Sequence, residues 1–223
     1  MWQCLNRIAH GAAALAGLSF FLCSQVASAA PVTVQFGGVI TSTQATFLPI
    51  NVGDAISGSY TFDTVTADIN GSSSVGSYPS VTAYSVTIGN SFTLSAVGGT
   101  IGVFNNAAGL DEYQVAASAV TLGGQGFLNG VVIGTPTWLP GVLLVDLRDA
   151  SQTAFSSDAL PLTPPDLADF AVRNFQMTYG ATVFSPTPHV EQRDVRGVIT
   201  SLFVVEEGVP APGALALLGL GLA

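Results

Sequence analysis

The chain has 223 residues, of which 48% are apolar and only 9% are charged, and its formal net charge is −9. This composition excludes a charged, apolar-poor disordered chain, and the length favours one domain with tails over several domains. The chain has no lysine and five arginines, so nucleic acid and anionic membrane surfaces are excluded as partners of the folded part, because both attract basic groups.

The first 29 residues have the three parts of a secretory signal peptide. Arg7 precedes the apolar stretch Gly11–Cys23, which is followed by a small-residue sequence containing Ala27 and Ala29. This stretch is well short of the ~20 residues that a membrane-spanning helix needs. We therefore expect cleavage after Ala29 and export of the protein, rather than a transmembrane anchor.

Both cysteines, Cys4 and Cys23, lie within this leader. The mature chain is therefore expected to have no thiol for a disulfide bond, a thiolate metal site or a cysteine nucleophile. Its fold must be stable without disulfide bonds.

Between residues 30 and 207 apolar and polar residues alternate with the period of two that is typical of strands with one buried face. The alternating segments are Val32–Phe36, Ala55–Asp63, Thr82–Ile88, Phe92–Ala96, Tyr113–Ala119, Leu143–Leu147, Phe175–Tyr179 and Val195–Val205. In the last segment Phe203 and Val205 are expected to face the core. Turns rich in Gly, Asn and Ser separate the segments. We predict an all-β domain, a single antiparallel β-sandwich of the jelly-roll type with at most one short helix.

One segment, "LTPPDLADFA", predicts that helix. Thr163 is placed to cap it, Pro164 and Pro165 suit its first turn, and Asp166 favours a helix N-terminus electrostatically. We expect one or two turns packed across one end of the sheet.

The pentapeptide "GVITS" occurs twice, at Gly38–Ser42 and at Gly197–Ser201. The flanking residues differ, which excludes a duplicated domain. Two alternatives remain: the repeat is a coincidence of β-branched strand sequence, or the first and last strands lie near each other in similar surroundings.

Catalytic signals are weak in the mature sequence. His189 is its single histidine and lies in a turn-like stretch. A zinc site would lack further histidine or cysteine ligands, and a serine triad would have to use His189 as its base. A glycosidase needs two carboxylates that flank a cleft. Candidates near strand ends are Asp63, Asp68, Asp111, Glu112, Asp146 and Asp149. An acidic sandwich would carry such residues in any case, so we expect no catalytic residue and keep a glycosidase as the third hypothesis.

Calcium is the one metal for which this composition supplies ligands. Asp63, Asp68 and Asn70 offer oxygen atoms before Gly71, in a fragment that resembles part of an EF-hand loop. The alternative is an ordinary Asx turn. No other cofactor is expected.

Carbohydrate binding is the second functional hypothesis. Trp138 and Tyr78 are expected to be exposed, and exposed aromatic rings are suited to contact sugars. Four other tyrosines share a strand phase with apolar neighbours and are expected in the core: Tyr60, Tyr84, Tyr113 and Tyr179.

The segment "VPAPGALALLGLGLA", within residues 208–223, resembles the C-terminal sorting signal of PEP-CTERM proteins of Gram-negative bacteria. Val209, Pro210 and Pro212 match the motif, whereas Ala211 stands where the family usually has glutamate. The resemblance implies a membrane anchor that an exosortase-type protease recognises and processes. The apolar run after the motif has eleven residues, about half of a spanning length, so we expect this signal to be truncated or decayed.

The stretch "NVGDAISGSYTFD", Asn51–Asp63, also resembles a strand-turn-strand of PEP-CTERM cargo proteins. The resemblance implies sorting through the inner membrane to the cell surface or to the extracellular polysaccharide matrix, with extracellular polysaccharide as a partner. It implies no active site.

Overall fold

The computed structural model describes residues 31–90, 92–117, 120–122, 125–126, 138–183 and 189–205. The strands are β1 Val32–Thr43, β2 Ala55–Phe62, β3 Val75–Ile88, β4 Phe92–Ala96, β5 Gly99–Ala107, β6 Leu110–Ala117, β7 Val120–Leu122, β8 Gln125–Gly126, β9 Leu139–Asp149, β10 Val172–Val183 and β11 His189–Val205, and a 3-10 helix spans Leu167–Asp169. The prediction of an antiparallel all-β fold is confirmed.

The strands belong to one sheet that closes on itself. Eight of them form the ring β1-β2-β3-β5-β6-β9-β10-β11, and β1 then pairs with β11. Strands β4, β7 and β8 extend the sheet from the edge of β3. The architecture is therefore a closed antiparallel barrel rather than the two separate sheets of a sandwich. The sequence pattern fits both, because each needs one apolar face per strand.

The repeated pentapeptide forms the seam of the barrel. Gly38 pairs with Ile199 and Ile40 pairs with Gly197 in the antiparallel ladder of β1 and β11. The two "GVI" sequences therefore face each other with approximate two-fold symmetry. The hypothesis that the first and last strands are neighbours is confirmed.

Close backbone approach at the seam explains the repeated glycines. A Cβ atom on Gly38 would lie 2.3 Å from the carbonyl oxygen of Val198, and one on Gly197 would lie 2.7 Å from the carbonyl oxygen of Val39. Both distances are shorter than any real Cβ contact. Only glycine permits β1 and β11 to approach this closely without displacement of the backbone.

The strand phase predicted for the end of β11 is wrong. The register shifts between Gly37, which pairs with Ser201, and Gly38, which pairs with Ile199. Thr200 of β11 is therefore an extra residue without a partner position on β1. Such a bulge moves the following side chains to the opposite face. Phe203 is consequently 50% exposed, whereas Leu202 and Val204 pack against the core.

Aromatic side chains fill the interior. All four tyrosines that were expected in the core are about 1% exposed, so that prediction is confirmed. The hydroxyl groups of Tyr60 and Tyr113 hydrogen-bond at 3.1 Å, and that of Tyr179 donates to Met177 Sδ at 3.2 Å. The Tyr84 hydroxyl is buried without a hydrogen-bond partner among the described residues.

The predicted helix is a single 3-10 turn that begins later than expected. Asp166, not Thr163, caps it, because the Asp166 carboxylate accepts from the backbone N–H of Ala168 at 2.8 Å. Pro164 and Pro165 precede the cap. Two consecutive prolines supply no N–H donors, which makes the stretch before Asp166 better suited to extended chain.

The outer surface of the barrel has two unlike parts. The charged wall consists of β6, β9, β10 and residues 189–199 of β11, and it carries all four arginines that follow residue 29: Arg148, Arg173, Arg193 and Arg196. The hydroxyl wall consists of residues 32–39, 55–62, 81–88, 92–96 and 201–205. These five strand segments contain no charged residue.

Candidate functional site

Two facing strands of the charged wall bring together Glu112, Gln114, Asp146 and Arg148, which we call the carboxylate cluster. Glu112 is paired with Arg148 and Gln114 with Asp146 across β6 and β9. Alternate residues point outward, so these four side chains meet on the outer face while their neighbours on each strand fill the core.

Arg148 binds both carboxylates of the cluster. Its Nε donates to Glu112 Oε1 at 3.0 Å, and its Nη2 lies 3.0 Å from Asp146 Oδ2. The Gln114 amide also donates to Glu112 Oε1. Glu112 and Asp146 are only 8% and 3% exposed, because the half-exposed arginine lies against them.

The cluster has two carboxylates and one cation, and this imbalance shifts their ionisation. Burial and a hydrogen bond to Glu112 raise the pKa of Asp146 to about 6, although the attraction of Arg148 lowers it. Partial burial disfavours the charge of Arg148, but the two carboxylates outweigh that effect and raise the pKa of its guanidinium. Asp146 therefore binds a proton in mildly acidic solution.

Carboxylates held in this way do not resemble the acid and nucleophile of a glycosidase. In such an enzyme the two carboxyl groups stand on either side of the scissile bond. Here Glu112 and Asp146 are joined through a single guanidinium, and a substrate would have to displace Arg148. The arrangement is suited to binding strands β6 and β9 together and to taking up a proton.

A second carboxylate pair, Asp111 and Asp149, lies at the end of the same two strands and holds the connection from β9 to β10. The backbone N–H of Phe155 donates to Asp111 Oδ2 at 2.8 Å. Asp149 accepts from the hydroxyl and N–H of Ser151 and from the N–H of Thr153. These hydrogen bonds lower the pKa of Asp149 far below its usual range. Both carboxylates are used in anchoring the loop.

The calcium candidates form a run of turns instead of a common ligand set. Asp63 Oδ1 accepts from Val65, Asp68 Oδ1 accepts from Asn70 and Ser77, and Asn70 Oδ1 accepts from Ser72, in each case from the backbone N–H. This is the Asx-turn alternative. Among the described residues no group of three or more His, Cys, Asp or Glu side chains is placed to hold a metal ion.

The expectation that Trp138 is exposed is wrong. Its side chain is 6% exposed and stacks on Phe47, with ring centroids 5.0 Å apart and an interplanar angle of 15°. The Arg193 guanidinium covers the indole, 5.6 Å from its centroid. The loop that follows β1 and a cation from β11 together bury the ring, so it offers no platform for a sugar.

Tyr78 was also expected to be exposed and is not. It is 6% exposed, and its hydroxyl donates to the carbonyl oxygen of Asp158 at 2.9 Å. The long connection between β9 and β10 folds over this ring. The two aromatic residues on which the carbohydrate hypothesis rested are thus 6% exposed and serve packing.

The other residues singled out in the sequence are placed as follows. His189 is the first residue of β11 and pairs with Val183. The signal-peptide residues and the sorting motif lie outside the described residues: Ala27, Ala29, Val209, Pro210 and Pro212.

Sequence reasoning missed Gln114 and Arg148, and it did not place Glu112 beside Asp146. The available signal was the pair of alternating patterns "EYQV" and "VDLR", in which polar residues occupy every second position. What was lacking was the register that sets Glu112 opposite Arg148.

Comparison with protein-family models gave no match, and neither did comparison with curated proteins or with solved structures. No helix formed by the described residues is long and apolar enough to cross a membrane.

Proposed function

We propose that this protein is an exported, non-catalytic component of the bacterial cell surface or extracellular matrix. Its barrel serves as a structural or adhesive domain. Where its apolar run reaches a spanning length, the C-terminal segment holds the protein at the inner membrane, and an exosortase-type protease processes that segment. The observation that carries the proposal is the pairing of Thr33 with Val205, which joins the start of β1 to the end of β11.

This pairing supports tethering because it sets both ends of the described domain side by side. β1 enters the barrel where β11 leaves it, so the first and the last described strand residues are at the same end of the barrel. The loop from β1 to β2 and the paired residues Val183 and His189 then lie at the opposite end. A domain of this form can stand on its tether and present its walls and its far end to the surroundings.

The carboxylate cluster supports a role without catalysis. Glu112 and Asp146 are buried and shared by Arg148. Asp149 accepts hydrogen bonds from the β9–β10 connection, and Asp111 accepts from that connection and from the N–H of Asn106 in β5. Carboxylates in these positions stabilise strands and turns.

The test is to express the full chain in a Gram-negative host that has an exosortase, and in the same host with the exosortase gene deleted. We expect outer-surface or medium fractions to contain protein that starts at Ala30 and lacks its apolar end, as measured by intact-mass spectrometry. Without the exosortase the protein should remain in the inner-membrane fraction.

Substitution of the motif provides the matched control. A double variant, Pro210→Ala with Pro212→Ala, should block processing at the C-terminus, whereas Pro164→Ala, which changes a loop proline, should not. Recovery of full-length protein with Met1 intact from the cytoplasm would refute export. Equal processing of the motif variant and the native chain would refute the sorting role.

A further inference from the structure

The hydroxyl wall presents short polar side chains in rows that run across neighbouring strands. The register aligns two such rows, Phe203–Gln35–Ser59–Ser85–Ser95 and Ser201–Gly37–Ser57–Thr87–Thr93. Strands lie about 4.8 Å apart and outward residues about 6.7 Å apart along each strand. The wall is therefore a two-dimensional array in which seven of these ten positions carry a hydroxyl group.

Neighbouring hydroxyls of this array hydrogen-bond to one another across the strands. Thr33 and Thr61 meet at 2.9 Å, and Thr87 and Thr93 meet at 3.0 Å. A hydroxyl has one donor and two acceptor positions, so each such pair still has capacity for a further partner. The side chains are short, and little conformational entropy is lost when they are ordered.

The wall contains no charged residue, although the net charge of the chain is −9. A neutral ligand that covers the wall removes no ionised group from water, which would be costly. A polyanionic ligand would be repelled by the acidic protein as a whole. The charge distribution thus favours a neutral partner over an anionic one.

Phe203 supplies the apolar contact that such a partner needs. The bulge near Thr200 turns its ring outward, and it is 50% exposed at one end of the row that contains Gln35 and Ser59. An exposed aromatic ring next to hydroxyl and amide groups suits a molecule that has both C–H faces and hydroxyl edges.

We propose that the hydroxyl wall binds a neutral polysaccharide chain, with Phe203 stacking on a sugar ring and the hydroxyl rows bonding to the sugar hydroxyls. The inference rests on the extracellular role proposed above, since such polymers are met outside the cell. It replaces Trp138 and Tyr78, which are buried, with a different surface.

The test measures retention of the purified mature protein on insoluble neutral glucans, cellulose and curdlan, and on calcium alginate beads as the anionic comparison. We expect retention on at least one neutral glucan and at least tenfold less on alginate. Ser59→Asp places a charge in the middle of the wall and should reduce retention at least tenfold. Thr100→Asp makes the same change on the outward face of β5 and should leave retention unchanged.

Two further variants keep the test decisive if Ser59→Asp folds poorly, which a circular-dichroism melt would reveal. Phe203→Ser should reduce retention severalfold, and Ser59→Thr should preserve it. Native-level retention of Phe203→Ser, retention on alginate equal to that on the glucans, or no retention on either glucan would overturn the proposal.

Sedimentation equilibrium tests whether a second copy of the chain, rather than a polysaccharide, covers the wall. A dimer that Ser59→Asp dissociates, together with no glucan retention, would assign the wall to self-association and overturn the polysaccharide site. Because retention is measured on purified protein, it is independent of cellular sorting. Failure of the localisation experiment and failure of this one are therefore distinguishable.

Discussion

The charged wall and the hydroxyl wall pair their outward polar side chains through different kinds of interaction. Each is the outer face of pleated strands over one aromatic core. On the charged wall Arg148 binds two nearly buried carboxylates at 3.0 Å. On the hydroxyl wall neutral pairs such as Thr87 and Thr93 meet at 3.0 Å. The first arrangement depends on ionisation and on every member being present, whereas the second depends on neither.

The largest expected effect is on the seam, which both walls share. Gly38→Ala should destabilise the protein by about 3 kcal/mol, because its Cβ meets backbone atoms that cannot rotate away. Urea denaturation and amide exchange measure it, and exchange should accelerate on both walls. Gly71→Ala, where nothing lies within 4 Å of the new Cβ, is the matched control and should be nearly neutral. Faster exchange on one wall alone would show that the walls unfold separately.

Removal of the cation should affect the charged wall next most strongly. Arg148→Met leaves Glu112 and Asp146 buried without their partner, and we expect a loss of about 2 to 3 kcal/mol at pH 7.5. The loss should be smaller at pH 5, where Asp146 can bind a proton. Arg196→Met is the control, because Arg196 is mostly exposed in its pair with Asp194, and it should change stability by less than about 0.5 kcal/mol. Equal losses in the two variants would contradict the role of burial.

The pH dependence of stability should also arise from the charged wall. The pKa of Asp146 is raised from 3.8 to about 6 in the folded protein, so between these values the folded state binds more protons than the unfolded state. By linkage, stability then falls as pH rises from 4 to 7, by about 2 kcal/mol from this group. Asp146→Asn should remove that slope, as thermal melts across this range would show. An unchanged slope in the variant would assign the titration to another residue.

The smallest expected changes in stability come from removing a tyrosine hydroxyl behind each wall. Tyr113→Phe, behind the charged wall, leaves the Tyr60 hydroxyl without its partner and should cost about 1 kcal/mol. Tyr84→Phe, behind the hydroxyl wall, removes a hydroxyl that has no partner among the described residues and should be neutral or stabilising by up to about 1 kcal/mol. Urea titrations give the signs, and a loss in Tyr84→Phe would indicate a bridging water.

Most strands were predictable because one buried face imposes a period of two. β5 was missed because Gly99 and Gly102 interrupt the apolar positions Ile101 and Val103, so the stretch resembles turn sequence. Glycine is required at 99, where a Cβ would lie 2.4 Å from the carbonyl oxygen of Ala116. Close strand approach thus removed the signal by which strands are recognised.

The candidate sites were less predictable because they depend on register and on loop docking. No local pattern indicates that Arg148 of β9 stands opposite Glu112 of β6. Burial of Trp138 likewise depends on Phe47, a residue far away in the sequence. The repeated "GVITS" was the exception, since identical segments carried long-range information within the sequence itself.

The seam also has a consequence for folding order. The Thr200 hydroxyl contacts the Gly37 carbonyl oxygen across 163 residues, and contacts of such sequence separation are expected to form late. Until they form, a folding chain has two open strand edges with the same pentapeptide. Because these edges are complementary to each other, each can also pair with the opposite edge of another chain. Rapid ring closure is therefore what keeps neighbouring molecules apart while they fold.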